Sequence, residues 1–174
     1  MNILGKKGLV GAVKFFMDLV FIAGIAIYIS LPITLKWYFE GVSRINADSQ
    51  LANSIDKDTA IFVNIVSREN YYFSLVLFLL SGFFALVIIF EMRRLLARIG
   101  KMTPFVIENY KSFRNISLSS LSIAVLFAIK MFFYNSFLTI VITMIFFLGS
   151  LFAIILAEVF KQAALIKEEN DLTV

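Results

Sequence analysis

Apolar residues along this chain gather in stretches too long and too continuous for the faces of a water-soluble fold. The first runs from Phe15 to Leu35 and is interrupted only by Asp18 near its start. The second, Tyr71 to Phe90, carries no charge. The third, Ile116 to Phe160, is too long for a single crossing, and its polar break is Tyr134-Asn135-Ser136 near the middle. A helix needs about 20 apolar residues to cross the hydrocarbon layer of a bilayer. The pattern therefore predicts an all-α fold, an integral membrane four-helix bundle with spans at about 15–35, 71–90, 116–134 and 137–160. The connections are a loop over 36–70, a second loop over 91–115, a tight turn at 135–136 and a tail over 161–174.

The first span follows Lys6, Lys7 and Lys14, as a secretory signal would. It is longer than the 7–15 residues of a signal core, and no small-x-small cleavage site follows it. Pro32-Ile33-Thr34-Leu35-Lys36-Trp37 reads as a helix end at a membrane interface, so a retained anchor is expected.

The inner connection carries the most pattern. Arg94, Arg98 and Lys101 recur at helical spacing and form one basic stripe, with Leu95, Ile99 and Met102 on another face. Thr103-Pro104 has the look of an N-cap followed by proline at the first helical position. Beyond it Val106, Tyr110 and Phe113 share a face, while Glu108, Lys111 and Arg114 point elsewhere. An amphipathic helix on the membrane surface between spans two and three accounts for this. The basic stripe Arg94, Arg98 and Lys101 then reads as contact with anionic lipid, or as a docking surface for protein; the two readings can coexist.

The tail continues the fourth helix into water. Val159, Ala163 and Ile166 make an apolar line, followed by Glu168-Glu169-Asn170-Asp171. Acids at a helix C-terminus oppose the helix dipole. The bland account is a solvated helix end; the sharper one is a docking element for a basic partner, using Glu168, Glu169, Asp171, Ile166 and Leu172. The outer loop, with Asp56-Lys57-Asp58-Thr59, reads as plain loop or a short capped helix.

Composition agrees with lipid as solvent. Of 174 residues 60% are hydrophobic and only 16% charged, and mean hydropathy is +0.90. The chain has no cysteine and no histidine, which excludes disulfides, thiolate chemistry and imidazole bases or ligands. The net charge of +4 does not point to direct nucleic-acid binding, because the basic residues flank the spans. Eleven of them fall in the N-terminal segment (Lys6, Lys7, Lys14), the second connection (Arg93, Arg94, Arg98, Lys101, Lys111, Arg114) and the tail (Lys161, Lys167). The other side has Lys36, Arg44, Lys57 and Arg68, offset by five acids. The lysine- and arginine-rich side is expected to be cytoplasmic, with both termini inside. Trp37-Tyr38-Phe39, Tyr71-Tyr72-Phe73 and Phe132-Phe133-Tyr134 mark the opposite boundary.

Ionisable residues within spans are functional candidates by default. Asp18 lies four residues after Lys14, which suggests a local ion pair, and Lys130 sits one turn from the outer end of the third span, where its stem can snorkel to water. Gly149, Ala153 and Ala157 form a small-residue line on the fourth helix that permits close helix packing, within the bundle or in a homodimer. Ser117, Ser119, Ser120 and Ser122 have no base or elbow motif beside them, and no phosphate loop, metal cluster or carboxylate pair is recognisable. Neither a cofactor nor an enzymatic activity is expected.

Three stretches resemble a known family: Glu91-Met92-Arg93-Arg94-Leu95-Leu96; Thr103-Pro104-Phe105 with Glu108-Asn109 and Phe113-Arg114-Asn115-Ile116; and Ala157-Glu158-Val159-Phe160 with Leu165 and Lys167 to Val174. Together they resemble the bacterial four-span membrane family catalogued as domain of unknown function 2975. The resemblance implies the bacterial cytoplasmic (inner) membrane. It also implies a partner, because members are typically encoded beside a small XRE-type helix-turn-helix DNA-binding protein. Ala163-Ala164 departs from the family pattern, which has a glycine there, so a continuous tail helix is expected. The leading expectation is a non-enzymatic membrane regulator that sequesters such a transcription factor. The alternatives are a small transporter or channel, or an accessory subunit of a membrane complex.

Overall fold

The computed structural model describes residues 3–47, 70–100, 106–134 and 136–172. These form four helices, α1 (Ile3–Ala47), α2 (Tyr71–Gly100), α3 (Ile107–Phe133) and α4 (Phe137–Leu172). Each contains a stretch long and apolar enough to cross a membrane. This is a multi-pass membrane protein. At about 1.5 Å per residue, the 36 residues of α4 extend for about 54 Å. That is well beyond the roughly 30 Å hydrocarbon layer.

The distribution of polar residues is that of a membrane fold. Among the described residues the surface carries Phe132, Phe137, Trp37 and Ile22 at about two-thirds exposure or more, while Ser74, Asn109, Ser112, Ser117 and Thr139 are buried. Lipid tails are as apolar as leucine, so the apolar surface gains little by turning inward. Small residues and interhelical hydrogen bonds join the helices instead. The buried side-chain nitrogens and oxygens among the described residues all have hydrogen-bond partners.

The helices pack in chain order, α1 on α2, α2 on α3 and α3 on α4, with the last pair in the most extensive contact. Among the described residues α1 lies chiefly against α2. An aromatic and aliphatic core joins α2 to α3 and α4 through Leu77, Ile123 and Phe127, flanked by Phe78, Ile142 and Phe146. On α4 the buried line is Ser150, Ala153, Ala157 and Ala164. Ala153 and Ala157 thus lie in the seam, but Gly149 faces open space, where an added Cβ would meet nothing within 4 Å. Ser150 occupies its place in the seam: the Ser117 hydroxyl donates to the Ser150 carbonyl at 2.9 Å and lies 3.1 Å from its hydroxyl.

Two boundaries differ from the sequence pattern. The helix expected to end near Pro32 continues to Ala47. Proline removes one backbone donor without ending the helix; beside it Ser30 donates to the Ile27 carbonyl, and Thr34 to those of Ser30 and Leu31. Lys36 and Glu40 pair one turn later, 3.8 Å apart. The second difference concerns the surface helix expected between spans two and three. Residues 107–115 are the first turns of α3 itself. Their apolar face is used on α4, where Phe113 stacks on Phe160 at 5.0 Å and the Lys161 ammonium lies over the Tyr110 ring. Thr103, Pro104 and Lys101 lie outside the described residues, as does 48–69 of the outer loop.

The tight turn falls at the polar break. α3 ends at Phe133 and α4 begins at Phe137. The Tyr134 amide caps the carbonyl of Lys130 at 2.8 Å, while its phenol accepts the Asn70 amide at 3.2 Å. Tyr134 thus ties this turn to the start of α2 at the aromatic end of the bundle.

Candidate functional site

At the basic end, α2 carries Glu91, Arg93, Arg94 and Arg98 within about two turns. Helical geometry sends them to different neighbours. Glu91 points into the α2–α3 seam and is 5% exposed. Ser112 donates to its Oε2 at 2.7 Å and the Asn115 amide to its Oε1 at 2.8 Å. Arg98, on the same side two turns later, donates through Nη1 to the Ser112 hydroxyl at 2.9 Å, to Asn109 Oδ1 at 3.2 Å and to the Glu108 carbonyl at 3.2 Å. The result is a chain from guanidinium through Ser112 to carboxylate. A buried carboxylate persists only when paired and hydrogen-bonded, and this cluster supplies both conditions. Arg94 approaches Glu91 at 3.7 Å and covers the Phe90 ring, with its side chain half exposed.

Arg93 faces the other way. Its Nη2 and Nε both lie 2.6 Å from Asp18 Oδ1 on α1, and its guanidinium sits over the Phe21 ring at 4.6 Å. Asp18 is thus paired with a residue 75 positions away, where sequence spacing points to Lys14. One helix end holds α1 on one side and α3 on the other.

The remaining site residues separate. Arg94 stays at the surface, as an anionic-lipid contact requires, but Arg98 is turned inward by α3, so the basic stripe does not form a single exposed row. Lys130 does not snorkel: it is 7% exposed, its ammonium 5.6 Å from the Phe78 ring. In the tail α4 runs unbroken to Leu172, with the alanine pair inside it. Among the described side chains Ala164 is its last buried one, and Leu165, Ile166, Glu168 and Glu169 are exposed. The helical backbone includes Asp171 and Leu172, whose side chains lie outside the described residues. Among the described residues no three histidine, cysteine or acidic side chains gather as a metal site would need. Ser112 is 2% exposed, donates to Glu91 and accepts from Arg98. It is a relay in a clamp, closed to any substrate.

Sequence reasoning does not single out Glu91 as a site residue. A signal for it is present: a lone carboxylate closing an uncharged span, with Asn109, Ser112 and Asn115 at helical spacing on the far side of the loop.

The family described as protein of unknown function (DUF2975) matches residues 34–174. The chain belongs to this family. The matched region of DUF2975 takes in α2, α3 and α4 with the whole Glu91–Arg98 clamp. Asp18 and the first span up to Ile33 precede it. No curated protein and no solved structure matches the chain.

Proposed function

We propose that this DUF2975 protein is a non-enzymatic regulator of the bacterial inner membrane whose basic end faces the cytoplasm and whose tail holds a small helix-turn-helix transcription factor at the membrane. The observation that carries this reading is the last part of α4. The helix stays packed on α3 as far as Ala164 and then presents Leu165 and Ile166 beside Glu168 and Glu169, all exposed. Anionic headgroups repel such an acidic element. A basic DNA-reading surface complements it, and occupying that surface would keep the factor off DNA. The partner class itself comes from the family resemblance. The clamp's part is to fix α2 against α3, and through the α3–α4 seam to hold the tail at a set orientation.

Deleting Lys167–Val174 tests this. The expected result is four inserted spans and loss of the neighbouring helix-turn-helix protein from the membrane fraction. Full retention of that protein by the truncated chain overturns the tail as the docking element.

One observation favours a small transporter or channel instead, namely that Lys130, in the last turn of α3, is buried among the helices rather than exposed. Intramembrane charges of this kind mark ion paths. Ion flux through liposomes containing the purified protein, lost in Lys130→Met, would support that reading over the first.

A further inference from the structure

We propose that α1 is a releasable arm, latched to a self-sufficient α2–α4 core by the Asp18–Arg93 ion pair. Four independent observations point the same way. First, among the described residues α1 packs chiefly on α2, while α2, α3 and α4 share one core. Second, the two polar junctions of α2 differ in depth. On the α3 side Glu91, Asn109 and Ser112 are at most 5% exposed, whereas Arg93 and Asp18 have side chains 32% and 35% exposed. Water and headgroups reach both members of the α1 pair, whereas on the α3 side they reach Asn115 but not Glu91, Asn109 or Ser112. Third, beyond the ion pair the α1–α2 contact is mainly apolar among the described residues, a surface that lipid can also solvate. Tyr28 lies against Gly82, Leu86 and Ile89 against Gly24, Phe21 meets Phe90 and Phe39 meets Tyr71, with one long hydrogen bond from the Tyr71 hydroxyl to the Pro32 carbonyl at 3.5 Å. Glycines allow this close approach but contribute no side-chain area of their own. Fourth, the family match begins at Thr34, so Asp18 and the latching half of α1 precede the matched region.

The latch geometry suits a reversible contact. Two of the three guanidinium nitrogens converge on a single carboxylate oxygen, and Phe21 lies against the guanidinium. Breaking the pair returns Asp18 and Arg93 to the interfacial zone, where each is solvated. Breaking the α2–α3 clamp would strand a carboxylate inside the protein. Release therefore occurs at α1 first. Because Arg93 lies between Glu91 and Arg98 on the same helix, undocking of α1 frees the face of α2 opposite the clamp without dissolving it.

The absence of native cysteine allows spin labels to be placed only where wanted. In full-length protein in lipid nanodiscs, a pair at Lys14 and Lys111 reports arm against core, and a pair at Arg114 and Gln162 reports the α3–α4 core. Asp18→Asn should raise the population of long Lys14–Lys111 distances about fivefold, the factor that a change of about 1 kcal/mol produces. The Arg114–Gln162 distances should stay unchanged. The exchanged variant, Asp18→Arg with Arg93→Asp, should restore the short distance. An unchanged Lys14–Lys111 distribution in Asp18→Asn, broadening of both pairs together, or failure of the exchange to restore docking would each overturn the latch.

Discussion

The Ser112 hydroxyl and the Glu91 carboxylate meet at 2.7 Å across the α2–α3 seam, and the two residues share one buried proton-donor chain that begins at Arg98. Ser112 is almost fully enclosed, whereas Asn115, the other donor to Glu91, is exposed. Water can replace Asn115 and cannot reach the place of Ser112. Ser112→Ala should therefore lower stability by about 1–3 kcal/mol, the cost of leaving a buried polar group short of its partner. Asn115→Ala should cost clearly less. Denaturant unfolding in detergent micelles checks both, and equal losses would show that the seam is wetter than its burial implies.

Ala157 and Gly149 separate packing from mere smallness. Ala157 is 0% exposed at the centre of the α3–α4 seam. Leucine there has nowhere to go, and overpacking of this kind costs about 1–3 kcal/mol or more. The same leucine at Gly149 enters open space and should leave stability unchanged or raise it, since glycine is a poor helix former. Thermal unfolding of the two variants in detergent compares them. If Gly149→Leu is the damaging one, that face of α4 is covered by a second copy of the chain, and the homodimer becomes the better account of the small-residue line.

The proposed orientation rests on charge and is tested separately from packing. Cysteines placed singly at Arg44 and Lys111 lie at the aromatic and basic ends respectively, and the lysine and arginine excess leads us to expect the basic end in the cytoplasm. In intact cells an impermeant thiol reagent should label only the Arg44 position. The Lys111 position should react after permeabilisation. The opposite result would invert the whole topology and move the tail outside.

What is legible in the sequence is what a single helix can state about itself. Apolar run length marks the spans, the Tyr134-Asn135-Ser136 break places the turn, and the alanine pair at 163–164 points to an unbroken tail. Partner choice is not legible. A carboxylate at a span end looks the same whether water, a headgroup or another helix satisfies it. Hence spacing directs Asp18 to nearby Lys14 when its partner is Arg93, and Glu91 does not stand out. Likewise the apolar face of 106–113 is equally suited to a bilayer surface and to α4, and only the Phe113–Phe160 stack decides between them. Pro32 reads as a terminus because pattern registers the lost backbone donor and does not register that a membrane helix can continue past a proline.

The tail offers the most direct link from geometry to function. Counting along α4, Glu168 lies three residues after Leu165, and Glu169 lies three after Ile166, so each acid shares a face with one exposed apolar side chain. A partner seated on this face would bury the apolar pair and meet both carboxylates. The two contributions should then separate experimentally. Glu168→Lys with Glu169→Lys should weaken retention of the helix-turn-helix protein on membranes, and retention by the unaltered tail should fall between about 0.05 and 0.5 M salt, as solvent-exposed charges are screened. Ile166→Ser should weaken it as well, but without changing the salt dependence, because apolar burial is not screened. Neither variant touches the seam that ends at Ala164, so both should insert and unfold like the parent protein. If charge reversal leaves retention and its salt dependence unchanged, the acids are only a solvated helix end, and the exposed bases Arg94, Lys111 and Arg114 become the surface to test next.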